Sequence, residues 1–136
     1  MNLTEIILSF LLYGILGWVL DSLKRSWDDR RWTTGGFTFL PFAPIYGFGA
    51  LIVLFLHPVI AAWPLLFQFV FFAPVLGAFE YLGGIYCEIV FHKKLWDYSK
   101  YKINIHGRTS LFHAVSWGVL ALLLIYFMHP LFFGSA

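Results

Sequence analysis

The stretch PLLFQFVFFAPVLGAFEYLGGIYCEIVF, residues 64–91, decides the fold class of this chain. It carries only two charged side chains, Glu80 and Glu88. As a straight helix, with a rise of ~1.5 Å per residue, it would be about 42 Å long. That exceeds the roughly 30 Å thickness of a bilayer's hydrocarbon core. We therefore predict a membrane-spanning helix whose excess length is absorbed by tilt, by a kink at Pro74 or by extension past the interface.

The composition of the whole chain extends this interpretation to its full length. Of 136 residues, 60% are hydrophobic and 12% are charged, whereas soluble domains carry about 25% charged residues. This excludes a soluble globular domain, and the N-terminus lacks the basic region of a signal peptide. We predict an all-α membrane protein, a single transmembrane domain of about four helices. The expected spans are residues 5–23, 37–56, 64–91 and 110–128, with loops at 24–34 and 92–108.

The basic residues predict the topology. All nine lie in the two polar loops: Lys24, Arg25, Arg30, Arg31, Lys93, Lys94, Lys100, Lys102 and Arg108. Because basic residues close to span ends remain cytoplasmic, both loops are expected in the cytoplasm and both termini on the opposite side.

The second span is expected to be irregular. From Ile45 to Leu56 only about 18 Å of regular helix is available at ~1.5 Å per residue, and the preceding GGFTFLPFAP is rich in glycine and proline. Irregular backbone at membrane depth requires protein or water to satisfy it. We predict a broken or re-entrant segment here. A kinked helix is the alternative.

Acidic residues inside the spans are candidates for function, because ionisable groups in membranes are expensive and usually have a partner or a task. Glu80 is expected near mid-membrane, in one helical stripe with Gly77, Gly84 and Glu88. We expect Glu80 to bind a proton, a cation or a polar ligand. Further expected pathway residues are Glu88, Asp21, Tyr46 and Tyr81.

The two outer acids, Asp21 and Glu88, also have a simpler interpretation as interfacial acids. Their expected partners would then be Lys24, Arg25, Lys93 or Lys94. Gly14 and Gly17 share an arc with Asp21, so span one repeats the pattern of small and acidic residues. We expect the two stripes to face each other or the broken span two.

The second loop contains a candidate site for an anion or a lipid headgroup. Arg108 precedes the last span, where a free helix N-terminus adds N–H donors. The accompanying candidates are Trp96, Asp97, Asn104 and His113. The aromatic and basic residues of this loop also suit an interfacial belt on anionic headgroups. No metal or cofactor is expected, since no two histidines have metal-ligand spacing within one helix.

Several segments resemble the bacterial family called putative ABC-transporter type IV, or CmpB, also labelled putative ABC transporter permease. They are Gly17-Trp18-x-x-Asp21, GGFTFLPFAPIYGFGA at 35–50, FEYL at 79–82 with Glu88, WDYS at 96–99 and NIHGR at 104–108. The resemblance covers about residues 13–118. It implies a bacterial multi-pass protein of the inner, cytoplasmic membrane, and any ATPase would be a separate subunit.

Two functions remain open from the sequence. The first is a transport or channel-like subunit that moves a small solute or ion past Glu80, as a homo-oligomer or with partners in the lipid bilayer. The second is a membrane-embedded enzyme acting on a lipid or isoprenoid phosphate headgroup, with a carboxylate acid and base. A purely structural subunit is a third interpretation, and nothing in the sequence indicates nucleic-acid binding.

Overall fold

The computed structural model describes residues 1–33 and 41–134 and is 74% helical. Its helices are α1 (Leu3–Asp29), α2 (Pro44–Ile60), α3 (Leu65–Phe91) and α4 (Leu111–Leu123). A π-helical turn, Leu124–Met128, and α5, His129–Phe133, continue α4. In the described part of the chain, three helical runs are long and apolar enough to cross a membrane: α1, α3 and Leu111–Phe133. The helix α2 is apolar but has only 17 residues.

The helix ends are set by local hydrogen bonds. Asn2 caps α1, because its Oδ1 accepts from the Glu5 backbone N–H at 2.8 Å. Ser110 caps α4 and accepts from the His113 N–H at 3.1 Å. The helices α1 and α3 both stop at a residue with left-handed backbone, Arg30 (φ 54°) and His92 (φ 58°). Such a residue turns the chain out of the helical path.

The predicted break in span two falls partly on residues 34–40, outside the described residues. In the described part, α2 begins at Pro44, later than the predicted span start of residue 37. It runs four residues past the predicted end at Leu56 and includes Pro58. The helix α3 continues through Pro74, where the sequence allowed a kink. The last helical run also continues past the predicted end at Met128, because a π-helical turn precedes Pro130, which has no N–H to donate.

The chain forms two compact units, Met1–Ile52 and Val53–Ala136. That the whole chain is a single transmembrane domain remains a prediction. In the first unit, α1 packs on the start of α2 through glycines. Gly47 packs against the Phe10 ring. The Ala43 N–H donates a hydrogen bond to the Gly14 carbonyl at 2.9 Å. A side chain at Gly14 would collide with Phe42. The small residues of span one therefore meet span two, one of the two predicted arrangements.

In the second unit, α4 packs against the N-terminal half of α3. A Cβ at Gly77 would lie 3.2 Å from that of Ala114, and one at Gly118 would lie 2.8 Å from the Phe69 ring. These close approaches are the helix contacts that small residues permit in membranes. The fully buried side chains Phe72 and Leu76 fill the core beside them.

The connection between α3 and α4 folds into a hairpin, for which we use the name loop hairpin (residues 96–110). Two short antiparallel strands, β1 (Asn104–Ile105) and β2 (Thr109–Ser110), pair Ile105 with Thr109. His106 and Gly107 both have positive φ, 54° and 69°, and the Arg108 N–H donates to the Ile105 carbonyl at 3.0 Å. Two consecutive positive φ values at the centre define a type I′ turn.

Candidate functional site

The buried acid Glu80 is the centre of the candidate site. It lies on α3 with 4% of its surface exposed. The Tyr98 hydroxyl donates to its Oε2 at 3.0 Å, and the Thr109 hydroxyl donates to Oε1 at 3.4 Å. Both donors come from the loop hairpin, which therefore folds back along α3. Thr109 directly precedes the cap of α4, so the carboxylate also lies close to the positive end of that helix.

Tyr98 is held in place by two further contacts, and the second ring of the stack is itself fixed. Its ring stacks on His113, with centroids 3.6 Å apart and an interplanar angle of 8°. Its backbone N–H donates to the Gly107 carbonyl at 2.8 Å. His113 is itself 7% exposed, and its Nδ1 lies 2.6 Å from the Ser110 hydroxyl. The hydroxyl that reaches Glu80 is thus positioned by α4 and by the hairpin turn together.

A second polar group lies next along α3. Arg108 binds Glu88 with two hydrogen bonds, Nε to Oε2 at 2.9 Å and Nη2 to Oε1 at 3.1 Å. Its Nη1 donates to the Tyr81 hydroxyl at 3.2 Å, which lies 2.8 Å from His106 Nδ1. The bond to Glu88, and then that to Tyr81, raises the pKa of Arg108 above its ordinary value. Glu88 is therefore paired with Arg108 and not, as expected, with Lys93 or Lys94.

The remaining headgroup candidates fold the hairpin. Asp97 Oδ1 accepts from both the N–H and the hydroxyl of Ser99, and these bonds lower the pKa of Asp97. Trp96 Nε1 donates to the Arg108 carbonyl at 2.9 Å. Asn104 accepts from the Gly107 N–H and donates to the Tyr101 carbonyl, both at 2.8 Å. A side chain at Gly107 would collide with Asp97.

Two predicted pathway residues, Asp21 and Tyr46, belong to the first unit. Asp21 Oδ2 accepts from Arg25 Nε at 3.0 Å, so it has one of the cationic partners that the sequence suggested. Tyr46 packs over Gly17, where a side chain would collide with the tyrosine. The other three pathway residues, Glu80, Glu88 and Tyr81, lie in the second unit, where Tyr81 and Glu88 share Arg108.

The sequence reasoning missed a second buried polar group on α3, at Gln68. This side chain is 1% exposed. Its Nε2 donates to the Trp63 carbonyl at 2.9 Å and the Ala61 carbonyl at 3.4 Å, and its Oε1 accepts from the Tyr126 hydroxyl at 2.9 Å. A lone glutamine in an apolar segment was the available signal. The Tyr126 residue lies in the π-helical turn, an irregularity that is frequent at functional sites.

Apolar side chains separate the two buried polar residues of α3, Gln68 and Glu80. Glu80 lies twelve positions after Gln68, which corresponds to about 18 Å of helix. The intervening turns carry Phe72 and Leu76, both fully buried. A surface groove of about 390 Å³ is lined by Trp63, Pro64, Phe67, Val70 and Phe71. Because its lining is almost entirely apolar, this groove suits hydrocarbon and not a polar solute.

Metal ligands do not converge in the part of the chain that the structure describes. Within residues 1–33 and 41–134, no three His, Cys, Asp or Glu side chains are grouped closely enough to hold a metal ion. The site described above is therefore a network of carboxylates, hydroxyls, one guanidinium and imidazole rings. Such groups can hold or pass a proton and can bind a cation or a polar ligand.

Comparison with known proteins identifies the protein family of this chain. No curated protein and no solved structure matches the chain. The model of one protein family, described as putative ABC-transporter type IV, matches residues 8–135. That match includes every element from the second turn of α1 to the end of α5, and it confirms the resemblance noted in the sequence. The chain belongs to the putative ABC-transporter type IV family of membrane proteins.

Proposed function

We propose that this protein is a subunit of a transport system, and that Glu80 binds the proton, cation or amine that is moved. The observation that supports this most is a carboxylate, 4% exposed, in a helix able to span a membrane. Both of its oxygens accept hydrogen bonds from hydroxyls. Hydroxyl groups both donate and accept, so they can serve Glu80 with or without its proton.

The alternative of an enzyme on a phosphate headgroup has less support. Arg108, its anion-binding candidate, already uses two donors on Glu88 and one on Tyr81. A phosphate would have to displace Glu88 to gain the same two-pronged contact. Asp97 and Asn104 hold backbone groups of the loop hairpin. Catalysis by these side chains would therefore require the hairpin to rearrange.

The protein is proposed to act in a bacterial cytoplasmic membrane as four spans, with both termini outside. A bundle this small encloses little space, so we propose a homo-oligomer or a complex with a further membrane subunit. If ATP drives transport, the ATPase is a separate chain. Light scattering of the purified protein, corrected for detergent, would measure the number of copies directly.

The test uses proteoliposomes with the wild-type chain, Glu80→Gln and the control Glu5→Gln. Glu5 is a half-buried acid in the first turn of α1. Fluxes of H⁺, Na⁺, K⁺ and methylammonium are followed under an imposed membrane potential. We expect one of these fluxes to exceed that of protein-free vesicles, to be lost in Glu80→Gln and to persist in Glu5→Gln. Wild-type flux that persists in Glu80→Gln, or no flux of any of the four ions, would contradict the proposal.

A further inference from the structure

The helix α4 begins beside the middle of α3. Thr109 reaches Glu80, and Gly77 faces Ala114. The first turn of α4 therefore lies beside the middle of α3 and not beside its end at Phe91. Eleven residues of α3 extend past Glu80, about 16 Å of helix at ~1.5 Å per residue. The loop hairpin occupies the flank of this extension, since Arg108 contacts both Gly84 and Glu88.

The helix α3 is longer than the hydrocarbon core is thick. The 27 residues of α3 amount to about 40 Å of helix, against a hydrocarbon core of roughly 30 Å. If the core begins at Leu65, it ends near Ile85. The last turns of α3 and the hairpin beside them then fall in the headgroup layer. The exposed side chains of those turns, Tyr86 (62%) and Ile89 (67%), are still aromatic or apolar, like Leu82 (63%) just inside the core.

The outer surface of the loop hairpin combines exposed apolar side chains with lysines. Ile103 is 63% exposed and Ile105 is 56% exposed, next to the exposed Lys100 and Lys102. The same edge continues into Phe112, 56% exposed, whose ring stacks on Tyr101. Exposed isoleucines are unfavourable in water. Apolar side chains beside lysines fit a leaflet that offers both acyl chains and negative headgroups.

We infer that the loop hairpin is embedded in the headgroup layer at the C-terminal end of α3, and that it selects anionic lipid. Ile103 and Ile105 enter the acyl boundary, while Lys100 and Lys102 contact the phosphates. This role does not depend on the proposed transport function. It makes the segment that holds Tyr98 against Glu80 a lipid-contacting element.

The depth is tested with spin labels at single cysteines in a Cys87→Ser background. The labelled variants are Ile105→Cys, the lipid reference Leu82→Cys and the aqueous reference Asp28→Cys. Collisions with oxygen and with a water-soluble nickel chelate are measured in nanodiscs. We expect the label at Ile105 to resemble the one at Leu82, with oxygen favoured. A label at Ile105 as accessible to nickel as the one at Asp28 would overturn the inference and would leave the hairpin as a surface for a soluble partner.

The lipid preference is tested by native mass spectrometry after release from nanodiscs that mix phosphatidylglycerol with phosphatidylcholine. We expect the protein to retain phosphatidylglycerol preferentially. Each of Lys100→Gln and Lys102→Gln should lower that preference by about fivefold, the effect of one basic residue near an anionic surface. The charge-preserving Lys100→Arg and Lys102→Arg should retain it. A wild-type protein without preference, or glutamine variants that keep it, would refute the selection of anionic lipid.

Discussion

The hydrogen bond between Tyr98 and Glu80 can be measured by a double-mutant cycle of Tyr98→Phe and Glu80→Ala, since alanine removes both acceptor oxygens. Tyr98→Phe removes only the hydroxyl that lies 3.0 Å from Oε2 and leaves the ring that stacks on His113. A hydrogen bond to a charged group contributes about 1.5–3 kcal/mol. Neutral side-chain hydrogen bonds within membranes average only about 0.6 kcal/mol. The coupling free energy therefore distinguishes an ionised Glu80 from a protonated one.

We expect a coupling of about 1.5–3 kcal/mol, because two hydroxyl donors and the start of α4 all favour the carboxylate. The assay is equilibrium unfolding in mixed micelles, followed by far-UV circular dichroism. Tyr86→Phe serves as the control, since Tyr86 is 62% exposed, and should couple to Glu80 by less than about 0.5 kcal/mol. A coupling near zero would refute the contact itself. A value near the neutral one would show instead that Glu80 carries its proton.

Three further predictions concern the supporting contacts. Gln68→Leu should lower the free energy of unfolding in detergent by about 1–3 kcal/mol, since three hydrogen bonds end on this buried side chain; an unchanged unfolding curve would contradict this. Gly84→Val should destabilise by about 1–3 kcal/mol in the same assay, because even a Cβ would lie 3.1 Å from Arg108 Cγ. The Asp97 carboxylate has a lowered pKa, so its contribution is present above the unfolded value of about 3.9 and is lost as pH falls through the folded pKa. The melting temperature of Asp97→Asn should therefore depend less on acid pH than that of the wild type, and equal dependence would argue against the Ser99 contacts.

Hydrophobic runs made the helices predictable. The span expected at residues 64–91 is observed as α3, Leu65–Phe91, because a long apolar segment satisfies its backbone only as a helix. The ion pair between Asp21 and Arg25 was also predictable from the sequence, since residues four apart are neighbours on a helix. The boundaries of α2 were less predictable, because glycine and proline are tolerated in membrane helices.

The contacts of the candidate site were harder to foresee, since they depend on how the α3–α4 connection folds back. The composition of this segment predicted an interfacial belt. Composition does not indicate which side chains of the segment bind which residues of α3. Glu88 has Lys93 and Lys94 nearby in sequence, yet it binds Arg108, which the I′ turn brings alongside α3. The same fold brings Tyr98 to Glu80. The hydrogen bonds of Gln68 were not predicted, because its partners are backbone carbonyls and a tyrosine distant in sequence.

The apolar turns that separate Gln68 from Glu80 have an electrical consequence. Their length of about 18 Å is roughly 60% of a 30 Å hydrocarbon core. A full charge crossing the whole core exchanges about 2.3 kcal/mol with the field for every 100 mV. A monovalent cation that moved between the levels of the two side chains would exchange about 1.4 kcal/mol, a factor of about ten in equilibrium for each 100 mV. If ions cross this protein along α3, the resting membrane potential will act on this step together with their concentration gradient.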